Sequence, residues 1–178
     1  AYQAGQRVFG ENKVQELVEK SAVLPDDIQW HMIGHLQSNK VKYIAPFVSL
    51  IHAVDSKKLL IEIDKRARQH DRVIHCLLQI HIAQEPSKFG LNEDEAIELL
   101  EMNLANVSVD GLMGMATFTD NKQQIRSEFK SLKNTFEKAK SKFNKLSILS
   151  MGMSGDYDIA IEEGSNMIRI GSSIFGSR

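Results

Sequence analysis

The segment NMIRIGSSIFGSR, residues 166–178, places one guanidinium and one potential anion cradle within a few positions of each other. Arg169 interrupts the apolar run of Met167, Ile168 and Ile170, which with Ile174 and Phe175 reads as a buried β-strand and the start of the next element. An arginine in such a run requires acceptors, because a charged donor withdrawn from water is costly unless hydrogen-bonded. Gly171, Ser172 and Ser173 come directly after it, a small turn whose backbone N–H groups and hydroxyls can wrap an anion. A second turn of the same kind, SMGMSGD at 150–156, contains Ser154, which can cap a following helix while free N–H groups receive an oxyanion. Two such turns at successive strand ends suit one phosphate held between them. On the residues alone, each turn is also an ordinary tight turn. Arg169 also has a structural reading, an ion pair with Glu162 or Glu163.

The other reactive side chains point to packing. Cys76 lies inside VIHCLLQIHIA and reads as a packed thiol; one cysteine allows no disulfide within the chain. His52, His75 and His81 alternate with apolar residues in strands and read as packed or hydrogen-bonded core groups. His31 and His35, in HMIGH, fall on one face of a strand about 13 Å apart, too far to share a zinc ion. The basic run KAKSKFNK reads as the solvated face of a helix. There is no GxGxxG, no Walker motif and no GxSxG elbow, which argues against dinucleotide binding, nucleotide hydrolysis and serine-hydrolase chemistry.

The elements that must position these groups alternate regularly. Strands are expected at 7–10, 29–34, 49–55, 73–83, 109–116, 146–153 and 166–171. Amphipathic helices separate them, among them SKKLLIEIDKRARQ, NEDEAIELLEMN and KQQIRSEFKSLKNTFEKAKSKF. Asp55-Ser56 and Asn92 are helix-start signals, and Gly164 suits the position after a helix end. Seven strands in β/α alternation give a parallel sheet, either open or closed into a (β/α)8 barrel. AYQAG reads as the last turn of a helix ending at Gly5, so the chain is expected to begin inside the first β/α unit. One preceding strand would complete eight. At 178 residues, 42% hydrophobic and 25% charged, residues 1–178 are expected to form a single domain. A net charge of −1 disfavours nucleic acid and anionic membranes as partners. No stretch reaches the ~18–20 apolar residues of a membrane span, and no secretory signal opens the sequence, so the expected location is cytoplasmic.

Five strings taken in order, AGQRVFGEN, WHMIGHLQSNK, GLMGMATF, LSMGMS and NMIRIGSSIFG, resemble the YggS/PROSC family of pyridoxal 5′-phosphate homeostasis proteins over nearly the whole chain. These are relatives of the alanine racemase N-terminal domain. The resemblance implies a single (β/α)8 TIM barrel of the alanine racemase N-terminal type, with seven strands visible here and the first missing. It implies pyridoxal 5′-phosphate as cofactor, with Arg169 facing the pyridine nitrogen and Ser154, Gly171 and Ser172 holding the phosphate. Asn12 and Met115 match further positions in the cofactor pocket. An arginine at the ring nitrogen leaves that nitrogen unprotonated and weakens the ring as an electron sink, which restrains carbanion chemistry. The implied function is a monomeric carrier without catalytic turnover, with apo-enzymes as recipients; a weak amino-acid racemase is the alternative. The family also implies a cofactor lysine at the end of the first strand, and Lys13, Lys40, Lys57 and Lys88 do not match its motif. Gly155 stands where the family more commonly has an acidic residue after the serine.

Overall fold

The computed structural model describes residues 1–84 and 89–176. Its contacts divide the chain into two compact units, residues 1–77 with 102–109 and residues 78–101 with 110–178. Hydrogen-bonded strand order is the same as chain order, β1-β2-β3-β4 in the first unit and β4-β5-β6-β7 in the second.

In the first unit, Gly5 at φ 96° closes a single 3-10 turn, Tyr2–Ala4, and the chain enters β1, Val8–Glu11. β1 pairs in parallel with β2, Gln29–Met32, in the register Val8 to Gln29 and Glu11 to Met32. β2 in turn pairs with β3, Leu50–Val54. All five residues of β3 are buried, as a parallel strand covered on both faces requires. Between the strands run α1, Val14–Ser21, and α2, Val41–Ile44. After β3 comes α3, Lys57–Arg68. Ser56 starts α3 by accepting from the Leu59 N–H at 3.4 Å, and the helix buries Leu59, Leu60, Ile63 and Ala67 at helical spacing. β4, Ile74–Gln79, begins in this unit and ends in the next. Lys13 and Lys57 occupy helix starts and Lys40 a 3-10 turn, as the sequence implied; Lys88 lies outside the described residues.

In the second unit, Asn92 and Glu95 form a reciprocal capping box at the start of α4, Glu93–Leu100. β5, Val107–Met113, and β6, Ile148–Met153, approach so closely at Gly111 that a Cβ there would stand 1.8 Å from the Ile148 carbonyl oxygen. Only glycine fits. The 21-residue α5, Lys122–Lys142, is capped by Asn121 and buries Ile125, Phe129, Leu132, Phe136 and Ala139; Lys138, Lys140 and Lys142 of its basic end face solvent. α6, Tyr157–Glu162, is followed by Gly164 at φ +93°, and then by β7, Met167–Arg169, and α7, Ser172–Phe175.

Three expectations are corrected. The last strand is not buried: Ile168, Ile174 and Phe175 are exposed, because β7 pairs with β6 alone among the described residues. His75 and His81 are exposed, the first on the outward face near the start of β4 and the second in the loop beyond its end; His52 is buried as expected. Ser154 does not cap α6, whose N-cap position is held by Asp156.

Candidate functional site

The candidate groups in the second unit meet at the ends of β5, β6 and β7. β6 and β7 pair at Ser150–Met167 and again at Met153–Arg169, with an irregularity between. Gly152 sits in that irregular stretch at φ +98°, a left-handed conformation that glycine adopts freely. The Met153 N–H donates to Asp156 Oδ1 at 2.6 Å, which folds the residues after β6 into a tight turn. Ser154 is thereby brought against the turn after β7. Its Oγ accepts from the Gly171 N–H at 3.2 Å and from the Ser173 N–H at 3.4 Å.

Arg169 is half-buried at the end of β7. Its Nη1 donates to Ser150 Oγ at 2.7 Å and its Nη2 to the Gly114 carbonyl oxygen at 3.1 Å. Desolvation pulls the guanidinium down to about 10, opposed by the charge of Asp156. It stays cationic at neutral pH. Glu162 and Glu163, the carboxylates that an ion-pair reading would give to Arg169, are both bonded to Arg126 instead. Among the described residues Arg169 has no carboxylate within ion-pair distance.

The loop after β5 is pinned from below. Thr117 donates through its N–H and its hydroxyl to buried Glu128 on α5, at 2.6 and 2.7 Å, and Gln124 adds a further donor. Burial pushes the Glu128 carboxyl up, but these donors outweigh it and hold the group below the ordinary carboxylate value. Met115, half-buried in this loop, lines a small crevice with Ile80, Ile82, Ala83 and Phe89.

The structure thus brings Arg169, Ser154 and Gly171 into one set of strand ends, with Ser172 opening α7 beside them. Asn12 belongs to the other unit, where it is exposed after β1; a Cβ on Gly34 would stand 2.2 Å from its carbonyl oxygen. Sequence reasoning includes Ser150 and Asp156 in the strand-end turn SMGMSGD and Gly114 at the preceding strand end, but gives none of the three a role. Which of them meets Arg169 depends on contacts distant in sequence, whereas Asp156 two positions after Ser154 is a local turn signal. The described residues contain no cluster of three or more histidine, cysteine, aspartate or glutamate side chains able to hold a metal ion.

The alanine racemase N-terminal domain model matches residues 1–178. The chain belongs to that family. Within the alanine racemase N-terminal-domain family, it is 41% identical to the pyridoxal phosphate homeostasis protein of Aquifex aeolicus, over 99% of this chain and 79% of that protein. It is 40% identical to the protein of the same name from Vibrio alginolyticus, over 100% of this chain and 79% of the relative. The structure of PipY from Synechococcus elongatus with pyridoxal phosphate bound superposes with a TM-score of 0.90 at 34% identity, covering 99% of this chain and 84% of PipY. The fold class is therefore the α/β barrel of the alanine racemase N-terminal-domain family, with seven parallel strands among the described residues.

Proposed function

We propose that this chain binds pyridoxal 5′-phosphate and serves vitamin B6 homeostasis, sequestering the cofactor and supplying it to apo-enzymes in the cytoplasm, as a monomeric single-barrel protein without catalytic turnover. The observation that carries the reading is Arg169, a cationic donor whose acceptors among the described residues are neutral, in a chain related to named pyridoxal phosphate homeostasis proteins. The donor set fits the group. A pyridine nitrogen is a neutral acceptor that a guanidinium can serve, and a phosphate takes backbone N–H and hydroxyl donors of the kind gathered at Ser154, Gly171 and Ser172. Gly155 and Gly171 leave the direction of a Cβ open, with nothing within 4 Å among the described residues apart from their chain neighbours.

In this reading Arg169 donates to the ring nitrogen and Ser154, Gly171 and Ser172 hold the phosphate, while Asn12 and Met115 are further cofactor-binding residues by resemblance to the family. When bound, pyridoxal phosphate supplies a reactive aldehyde and an electron-withdrawing ring. Arg169 limits the second property. With a value of about 10 it has no proton to give up near pH 7, so it offers a hydrogen bond without protonating the nitrogen. The expected behaviour is retention of cofactor with little chemistry on amino acids.

A racemisation assay tests this. Cofactor-loaded protein incubated with L-alanine or L-serine is expected to form the D-isomer far below the usual enzymatic range of ~1–10³ s⁻¹. Turnover within that range would overturn the carrier reading and favour a racemase.

A further inference from the structure

The neutral seat beneath Arg169 has a consequence for the cofactor. Ser150 lies in β6 with no exposed surface, and its Oγ is the shorter of the two acceptors that hold the guanidinium, at 2.7 Å. The other acceptor, the Gly114 carbonyl, is tied to Ser150 through the same glycine, whose N–H donates to the Ser150 carbonyl oxygen at 3.1 Å. Thr117, three residues beyond Gly114, is fixed by buried Glu128. The two acceptors are therefore held relative to each other by strand pairing and by an anchored loop.

A guanidinium carries five N–H donors in a rigid planar fork. Two fixed acceptors on different nitrogens define the plane and the direction of that fork, and the remaining donors stay available to a ligand. Because both acceptors are uncharged, neither neutralises the guanidinium it holds; the acidic group that acts on it, Asp156, does so through space and not as an ion-pair partner. A carboxylate in place of the hydroxyl would anchor the arginine equally well but neutralise it.

We infer that Ser150 is a positioning residue for cofactor binding: its buried hydroxyl, with the Gly114 carbonyl, orients the Arg169 guanidinium toward the pyridine nitrogen and leaves its charge intact. The inference rests on the proposed binding of pyridoxal 5′-phosphate and assigns a role to a residue that does not itself touch the ligand. Without the Ser150 oxygen, Nη1 loses its acceptor and the fork is free to rotate about the bond to Gly114, so a correctly aimed donor is populated for only part of the time.

The test uses Ser150→Ala, Ser150→Thr and wild type, each titrated with pyridoxal 5′-phosphate and followed by the absorbance of the bound cofactor, by the nitrogen-15 shift of ring-labelled cofactor, and by thermal melting. Ser150→Ala is expected to bind about tenfold more weakly than wild type, as loss of one hydrogen bond to a charged group implies, and to change the ring-nitrogen signal. Ser150→Thr, which keeps the oxygen, is expected to restore both. A purely structural serine would give a lower melting midpoint in Ser150→Ala with unchanged affinity and an unchanged ring-nitrogen signal, and that result would overturn the inference. If Ser150→Ala does not fold, Ser150→Cys takes its place, since sulfur is a weak acceptor in a similar volume and the same two outcomes apply. Failure of the wild type to bind the cofactor would refute the proposed function itself, whereas wild-type binding with an indifferent Ser150→Ala refutes only the role of Ser150.

Discussion

Acidification is expected to destabilise this protein through one histidine. His31 on β2 is 7% exposed and His52 on β3 is 1% exposed, and His31 Nδ1 lies 3.0 Å from His52 Nε2 in a shared hydrogen bond. One nitrogen donates and the other accepts, so the bond needs at least one neutral ring. Burial lowers His31 from its ordinary 6.5 to about 4. Between pH 6.5 and pH 4 the unfolded chain therefore binds a proton at His31 that the folded chain refuses, and stability must fall as the pH falls through that window. Below pH 4 both states carry the proton and the group adds no further loss. A displacement of this size is worth about 2–3 kcal/mol between pH 7.5 and pH 4.5, out of a total stability of order 5–15 kcal/mol. Urea denaturation monitored through the fluorescence of Trp30, buried beside His31 on β2, measures it at each pH. Carboxylates also respond to acid, so the comparison is with His31→Gln, whose amide can still reach His52 but does not titrate. The wild type is expected to lose about 2–3 kcal/mol more than the variant over this range. Equal losses in the two proteins would refute the reasoning, and would mean that buried His31 accepts its proton as readily as the unfolded chain does.

Three further outcomes rest on particular contacts. Gly34→Ala brings a Cβ to 2.2 Å from the Asn12 carbonyl oxygen and 2.8 Å from its Cα, backbone atoms that cannot rotate away, and is expected to cost about 3 kcal/mol in urea denaturation. Asn92→Ala removes the acceptor for the Glu95 N–H and half of the capping box, and should cost about 1 kcal/mol by the same measurement. Arg126→Ala removes the partner of exposed Glu162 and of largely buried Glu163; it should lower the melting midpoint and leave cofactor affinity unchanged, whereas weakened cofactor binding would show that this ion pair supports the site.

Much of this arrangement is legible in local sequence because it depends on local physics. Asn92 with Glu95, Ser56 before its helix, Gly5 and Gly164 at positive φ, and the alternation of apolar runs with amphipathic segments all express short-range preferences, and the elements lie where these place them. Arg169 stands out because a cation inside an apolar strand requires partners. Which partners it takes is not legible. Ser150 and Gly114 lie 19 and 55 positions away, and the competing Glu162 and Glu163 are taken by Arg126, 36 and 37 positions from them. The expected capping role of Ser154 fails because Asp156 folds the turn first, leaving the serine oxygen to receive the Gly171 and Ser173 amides across the β6–β7 irregularity. His75 and His81 depart from expectation because an apolar neighbourhood in sequence does not say on which face, or how far past a strand end, a residue emerges.

The central claim is that Arg169 binds the cofactor ring from its neutral seat, and the dissociation constant of pyridoxal 5′-phosphate for wild type and Arg169→Gln, each with its melting midpoint, tests it most directly. The account predicts measurable wild-type binding and a ten- to hundredfold loss in a variant that still melts cooperatively, since a charge-assisted hydrogen bond is worth about 1.5–3 kcal/mol. A folded Arg169→Gln protein that binds pyridoxal 5′-phosphate as tightly as wild type would contradict it.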